Sequence, residues 1–311
     1  MAIYLVTGGA GFIGSSIAHA LLSAGDRVRI VDDFSTGRRS NLESLPGKVE
    51  LFEGDICDGE LMSRAMVGVD AVLHEAALPS VSRSVTDPQT SMRVNVQGTT
   101  VVLDAARLAG VKRVLFAASS SAYGDTAVLP KVESMQPDPL SPYAVSKIAG
   151  EQLLRVFAKL YGIETLALRY FNVFGPRQDP TSQYAAVIPN FMSAAMRGER
   201  PGIFGDGEQT RDFCFIDNTV SANLLGLNTN KKLSGQVVNV ACGERISLNQ
   251  LLQLIAKVSG KPLAANYLDP RAGDIRDSLA DIEAARELLG YEPKVLVEEG
   301  LARTYADFKP A

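Results

Sequence analysis

Tyr143 and Lys147 stand four residues apart in SPYAVSK at 141–147, a spacing that puts a phenol and an ammonium on one face of a helix. A free phenol titrates near ~10, so acting as a base near pH 7 needs a depression of roughly 3 units, or about 4 kcal/mol. One neighbouring positive charge supplies about that much at an effective dielectric near ~20. Lys147 can provide it, and a tyrosine so tuned can take or give a proton in a reaction. Y-x-x-x-K also arises by chance on amphipathic helices, and serines that end a strand are often turn formers. The segment SSSAYG at 119–124 gives the pair its context. It closes a strand-like run, and in a doubly wound sheet ligands sit beyond the carboxyl ends of the strands. A hydroxyl from Ser119 would meet the Tyr143 helix there.

A second group lies at the N-terminus. TGGAGFIG occupies 7–14, with Gly8, Gly11 and Gly14 spaced G-x-x-G-x-x-G between a strand-like run and a helix-like one. Glycines in that place permit a tight turn and let the backbone approach a pyrophosphate at a helix N-terminus. Tight strand-to-helix turns use glycine in any case, so position carries the reading. Asp32 ends the second strand-like run, 18 residues beyond Gly14. A carboxylate there accepts from adenosine ribose hydroxyls and repels a 2′-phosphate, which favours NAD over NADP. Arg38 and Arg39 follow in the same loop and keep NADP open. The cationic ring of oxidised NAD would add to the field of Lys147 on the phenol.

These residues need a frame. AIYLVT (2–7), RVRIVD (27–32), VELFEG (49–54), DAVLHEA (70–76), VKRVLFAAS (111–119) and ETLALRYF (164–171) are short, β-rich apolar runs. Helix-like stretches separate them at 12–24, 58–67, 89–109 and 143–161. Strands alternating with helices imply βαβ units, and near-continuous apolar strands imply a sheet covered on both faces. The expected class is therefore α/β, a doubly wound parallel sheet over 1–171. From 172 onward proline and glycine punctuate shorter, mixed elements, which predicts a smaller mixed α/β C-terminal substrate lobe over 172–311, interleaved with the first.

The 311 residues suit about two lobes, and 46% hydrophobic with 21% charged residues is ordinary globular composition. The net charge of −4 argues against a broadly basic nucleic-acid surface. No apolar run reaches membrane-spanning length, and no basic region precedes the first strand-like run, so no signal peptide is expected. Three scattered cysteines and two histidines predict neither a disulfide framework nor a metal centre. A cytoplasmic protein is expected.

TGGAGFIG, Asp32, the GDI triplet at 54–56, HEAA at 74–77, Asn95, SSSAYGD, SPYAVSK and LRYFNVFGPRQDP together resemble the extended short-chain dehydrogenase/reductase family, and within it the nucleotide-sugar epimerases. Matching motifs run from residue 7 to about 281, nearly the whole chain. The resemblance implies a Rossmann-like fold and NAD as cofactor. It implies that Gly8, Gly11, Phe12 and Ile13 cradle the pyrophosphate. Asp32 would hold the ribose, Asp55 and Ile56 the adenine, and Asp33, Ser35, Thr36 and Gly37 of the following loop would also bind the cofactor. Ala76, Ala77, Asn95, Tyr143, Lys147 and Tyr170 would line the nicotinamide side. A UDP-sugar site is implied at Asn172, Ala186, Val187, Phe204, Arg211, Arg271, Asp274 and Ser278, with Ser119, Ser120, Ser121 and Tyr143 facing the sugar. Arginine suits a diphosphate because its planar fork bonds two oxygens.

The implied reaction is transient oxidation at the sugar C4. Tyr143 takes the 4-hydroxyl proton with help from Ser119, and the keto sugar turns over and is reduced on its other face. The related 4,6-dehydratases typically carry Asp-Glu where this chain has Ser120 and Ser121, and UDP-glucuronate decarboxylases keep the second acid. A hydroxyl cannot replace a carboxylic acid as an acid/base near neutral pH, so epimerisation is favoured. In the R-x-G-D segment, Ser278 stands where epimerases restricted to unacetylated hexoses carry tyrosine, and Ala186 where they often place asparagine. Two small side chains predict room for a 2-acetamido group, hence UDP-GlcNAc/UDP-GalNAc alongside UDP-Glc/UDP-Gal. Ser278 could instead cap a following helix. Plain UDP-glucose 4-epimerisation, UDP-glucuronate 4-epimerisation and a non-catalytic dinucleotide-binding scaffold stay open. The helices at 89–109 and 143–161 resemble those of the family's homodimer interface.

Overall fold

The first apolar run folds as the strand Ile3–Thr7, and the glycine-rich turn after it opens the helix Phe12–Ser23. The computed structural model describes residues 1–178, 187–270 and 275–308. Seven parallel strands form the main sheet in the order 236–240, 164–170, 113–119, 71–74, 3–7, 27–32, 50–53. The chain order reverses between Ile3–Thr7 and Ala71–His74, so a crevice opens at their carboxyl ends. TGGAGFIG, Asp32, the GDI triplet, HEAA and SSSAYG all begin at those ends.

Each face of the sheet carries its own apolar layer. Ile17, Leu21, Leu115 and Leu168 belong to one, beneath the helices Phe12–Ser23 and Ile216–Asn228. Val72, Val102, Leu103, Val114 and Leu154 belong to the other, beneath Gly59–Ala65, Thr99–Leu108 and Pro142–Tyr161. The strand Gln236–Val240 is an addition to the six expected; it pairs in parallel with Glu164–Tyr170. The C-terminal half thus contributes an edge to the main sheet.

Two differences from the sequence expectation concern helices. The stretch expected as one helix over 89–109 is three pieces: Pro88–Met92, a π-helical turn Arg93–Gly98, and Thr99–Leu108. The π turn brings Gly98 so close to Ile56 that a Cβ would meet the Ile56 side chain at 2.6 Å, and residue type alone does not announce such a register change. Ser278 caps no helix: the next helix is Glu283–Leu289 and its N-cap is Ile282. By contrast, Pro142–Tyr161 is bounded by Ser141, whose Oγ accepts from Ala144 N–H at 3.2 Å, by Pro142 in the first turn, and by Gly162 at φ 72°. Those are the stop and start signals a helix needs.

The remaining strands are short pairs. Gly202–Phe204 runs parallel to Asn266–Leu268, Thr210–Arg211 antiparallel to Ile246–Ser247, and Val173–Phe174 parallel to Cys214–Phe215. Among the described residues no helix is long and apolar enough to cross a membrane.

Candidate active site

A cavity of about 890 Å³ occupies the crevice at the sheet's carboxyl ends. One wall is the turn after the first strand. Gly8 has φ 68°, and a Cβ on it would meet Ala76 N at 2.7 Å; one on Gly14 would meet Gly8 O at 2.2 Å. Only glycine lets these three backbone segments meet. Phe12 and Ile13 line the cavity beside them.

Asp32 is buried at the end of its strand, and its carboxylate accepts from Ala10 N–H at 2.8 Å and from Phe34 N–H at 2.9 Å. Burial is the largest influence on this carboxyl and pushes it above its ordinary value, while the two amide bonds pull the other way. Asp32 therefore ties the glycine turn to the following loop and faces the cavity with Asp33, Ser35 and Thr36. Arg39 is turned away onto Glu53 at 2.6 Å, and Arg38 donates to Arg177 O at 2.7 Å. The two arginines that kept NADP open are thus engaged elsewhere.

Further along, Asp55 and Ile56 form the wall, Asp55 bound to Arg93 at 2.7 Å. Ala76 and Ala77 follow the fourth strand, and Ser119, Ser120, Ser121, Tyr143, Lys147, Tyr170 and Asn172 close the far end. Ser119 Oγ accepts from Ser121 Oγ at 2.9 Å and from Ser121 N–H at 3.2 Å. With its lone pairs so used, the Ser119 hydroxyl has its own proton to give to Tyr143.

Lys147 is 4% exposed and donates to Ala117 O at 2.7 Å, with its ammonium 5.8 Å from the Tyr143 ring centre. Burial lowers its pKa to about 8, opposed by the carboxylates of Glu75 and Glu151. The expectation that Lys147 by itself depresses the Tyr143 phenol is corrected here. Burial dominates and holds Tyr143 above its ordinary value, with the Ser119 contact as the lowering influence. A phenol pressed against apolar surroundings resists ionisation.

Several expected contacts lie elsewhere. Asn95 is turned into the interior: its side chain accepts from Leu78 N–H at 2.8 Å and donates to Ser146 Oγ at 3.1 Å. It shapes the wall through Leu78, which lines the cavity in its place. Gly37 packs against Ala10 and Asp32, where a Cβ would meet Ala10 Cβ at 2.8 Å. Val187, Phe204, Arg211 and Ser278 are not in the cavity wall. They sit on the C-terminal elements, where Ser278 N–H donates to Thr210 O at 3.1 Å and Arg211 donates to Arg276 O at 3.2 Å. Ala186, Arg271 and Asp274 lie outside the described residues.

Several wall residues escaped the sequence reading, among them Leu78, Ser80, Arg83, Gln178, Ile275 and Glu75. Gln178 and Ile275 carry no pattern of their own. Glu75 did leave a signal, an acid at the end of an otherwise apolar strand within HEAA; Tyr170 Oη donates to it at 2.9 Å.

A glycine cradle that no side chain could enter, a buried acid at the second strand's end, and Ser119, Tyr143 and Lys147 beyond the fifth define a dinucleotide-dependent enzyme of hydride chemistry. A profile of the NAD dependent epimerase/dehydratase family matches residues 4–241, and the chain belongs to that family. Its cofactor is NAD, which the cradle and Asp32 fit. The chain is 41% identical over 309 residues to a UDP-glucose 4-epimerase of Mycolicibacterium smegmatis, covering 98% of each. It matches the structure of a UDP-N-acetylglucosamine 4-epimerase from Methanobrevibacter ruminantium M1 in complex with UDP-N-acetylmuramic acid at TM-score 0.94 and 39% identity, over 99% of this chain and 98% of that one. It also matches a UDP-glucose 4-epimerase from Thermotoga maritima with UDP-glucose at TM-score 0.93 and 39% identity, over 98% of both.

Proposed function

We propose that this NAD-dependent UDP-sugar 4-epimerase interconverts UDP-GlcNAc and UDP-GalNAc, and UDP-Glc and UDP-Gal beside them. The choice of sugar rests on the small size of Ser278 as read from the sequence: Ser278 lies outside the described cavity wall, three residues after the wall residue Ile275, and its N–H joins its segment to Thr210 while no helix starts at it. The likeness to a UDP-N-acetylglucosamine 4-epimerase supports the same choice.

When bound, NAD supplies the hydride acceptor and donor that oxidation and re-reduction at C4 require. Tyr143 takes the proton of the sugar 4-hydroxyl and later returns it. Ser119 donates to the phenolate oxygen, and Ser121 fixes the orientation of Ser119. Lys147, anchored on Ala117 O, contributes its charge from one helical turn below. Ser120 and Ser121 offer hydroxyls where elimination or decarboxylation would need an acid, which supports reversal at C4 as the outcome.

We also infer a homodimer, supported by the exposed apolar side chains Val156, Leu160 and Tyr161 on one helix and Leu108 on its neighbour, which sedimentation equilibrium tests, and a cytoplasmic location, which cell fractionation tests. The experiment for the sugar is a panel of UDP-hexoses, acetylated, plain and uronic, with product ratios followed by NMR. Conversion of UDP-GlcNAc is expected. Turnover of UDP-Glc without it moves the assignment to plain UDP-glucose 4-epimerisation, and turnover of UDP-glucuronate alone to the uronic substrate.

A further inference from the structure

Glu75 follows the strand Ala71–His74 at the point where strand order reverses, and it lines the same end of the cavity as Ser119, Tyr143, Lys147 and Tyr170. Its hydrogen bonding has a direction. Asn223, fully buried, donates through Nδ2 to Thr219 O at 2.9 Å and to Tyr170 Oη at 2.8 Å. Tyr170 Oη, already accepting, gives its proton to Glu75 Oε1 at 2.9 Å. The chain Asn223, Tyr170, Glu75 therefore ends on an acceptor, the arrangement that suits a carboxylate. Among the described residues no second protein donor reaches the carboxyl group.

The charges around it are few. Lys147 and Tyr143 face it from the helix Pro142–Tyr161, Tyr170 from the strand Glu164–Tyr170 two places along the sheet, and the Cys214 thiol lies beyond Tyr170. On its own strand His74 is neutral, its pKa lowered to about 3 by burial and by Lys147. The helix Ile216–Asn228 offers Asn223, which carries no charge. Glu75 is thus the negative group in a pocket end that holds one ammonium and receives the nicotinamide.

We propose that Glu75 sets the redox balance of the bound cofactor, its carboxylate favouring the oxidised, cationic nicotinamide over the reduced, neutral one. An enzyme that must rest with its cofactor oxidised and still return a hydride each cycle needs that balance set locally. A negative charge in a water-poor site stabilises a neighbouring cation and leaves the neutral form unaffected. Burial raises the carboxyl to about 7, so the preference is expressed above neutrality and fades below it. The proposal rests on the assignment of the Tyr143–Lys147 end of the cavity to the nicotinamide.

The test equilibrates holoenzyme with a redox dye of known potential and reads bound reduced cofactor by its absorbance, in wild type and in Glu75→Gln. Glutamine is isosteric and keeps a carbonyl oxygen for Tyr170. At pH 8.5 and fixed potential the variant should hold roughly tenfold more reduced cofactor relative to oxidised than wild type. At pH 6 the two should agree. Equal ratios at both pH values overturn the proposal. A second measurement needs no variant: between pH 6 and 8 reduction of the wild-type holoenzyme should take up more than the one proton the free couple consumes per hydride equivalent, and an uptake of one proton overturns it too. Failure of the underlying site assignment is distinct, since it would appear as full activity in Tyr143→Phe.

Discussion

The imidazole Nδ1 of His74 lies 2.7 Å from Oγ1 of Thr7, across the two strands between which the sheet changes direction. The other ring nitrogen is 2.9 Å from Thr99 Oγ1, whose own proton goes to Asn95 O at 2.6 Å. Thr99 must accept, so Nε2 carries the hydrogen and Nδ1 receives that of Thr7. Thr7 Oγ1 in turn accepts from Ala76 N–H at 3.3 Å. One buried chain thus runs from the π turn to the backbone of the cavity wall, and it is satisfied only by a neutral imidazole.

That chain has a pH signature. The folded pKa of His74, about 3, is below its ordinary 6.5, so its contribution to stability is complete above about pH 6.5 and is lost as pH falls through 6.5 toward 3. The loss is about 1.4 kcal/mol per pH unit. Glu75 and Asp212, both raised to about 7 by burial, act with the opposite sign, losing stability as pH rises toward 7. A difference measurement isolates the histidine. His74→Leu should be less stable than wild type by roughly 1–3 kcal/mol at pH 7.5, because it leaves hydroxyls unpaired. In urea unfolding that gap should narrow as pH falls from 6.5 to 5. A constant gap would contradict the neutral tautomer.

Tyr143→Phe should lower kcat by about 10²- to 10⁴-fold with NAD still bound, since the fold loses only one hydroxyl. Steady-state turnover and the cofactor released on denaturation check the two halves. Lys147→Ala should lower activity as well and move the residual rate toward higher pH, because burial already holds the phenol above its ordinary value and the chain's nearest ammonium is gone. An unchanged pH profile would remove Lys147 from the electrostatics of the step.

Asp32→Ala should weaken NAD binding roughly tenfold and narrow the preference over NADP by at least as much, since an acceptor and a negative charge disappear together. Part of the loss should come from the loop itself, because Ala10 N–H and Phe34 N–H both depend on this carboxylate. The ratio of the two dissociation constants is the measurement. A wild type that already prefers NADP would count against the ribose role.

Ser278→Tyr should cut conversion of UDP-GlcNAc at least roughly tenfold relative to UDP-Glc, by steric exclusion of the acetamido group. Competition between the two sugars in one reaction reads the ratio directly. An equal loss on both would mean that the substitution disturbs the segment rather than the pocket.

Asp212 is fully buried and accepts from the backbone N–H groups of Cys242 at 2.9 Å, Gly243 at 3.0 Å and Ala280 at 3.2 Å, while its carbonyl takes a bond from Asn172 Nδ2 at 2.9 Å. It joins the cavity-lining Asn172 to the segment that carries Ser278. Asp212→Asn turns one acceptor into a donor facing amides, and should raise the KM for UDP-sugar severalfold with NAD retention unchanged. Equal weakening of both ligands would indicate general unfolding.

The sequence by itself determined the first half of the sheet and the glycine cradle, because short-range physics fixes both. Apolar runs of strand length must be covered on both faces, and a turn that admits no Cβ must be written in glycine. It also placed Tyr143 and Lys147 on one face, since helical spacing is local. The tertiary structure decided what depends on surroundings. It turned Asn95 inward, brought Gln236–Val240 to the sheet edge, made Glu75 a wall residue, and set the Tyr143 phenol above its ordinary value rather than below. Orientation and proton affinity are properties of the space around a side chain, and that space is assembled from residues far apart in the chain.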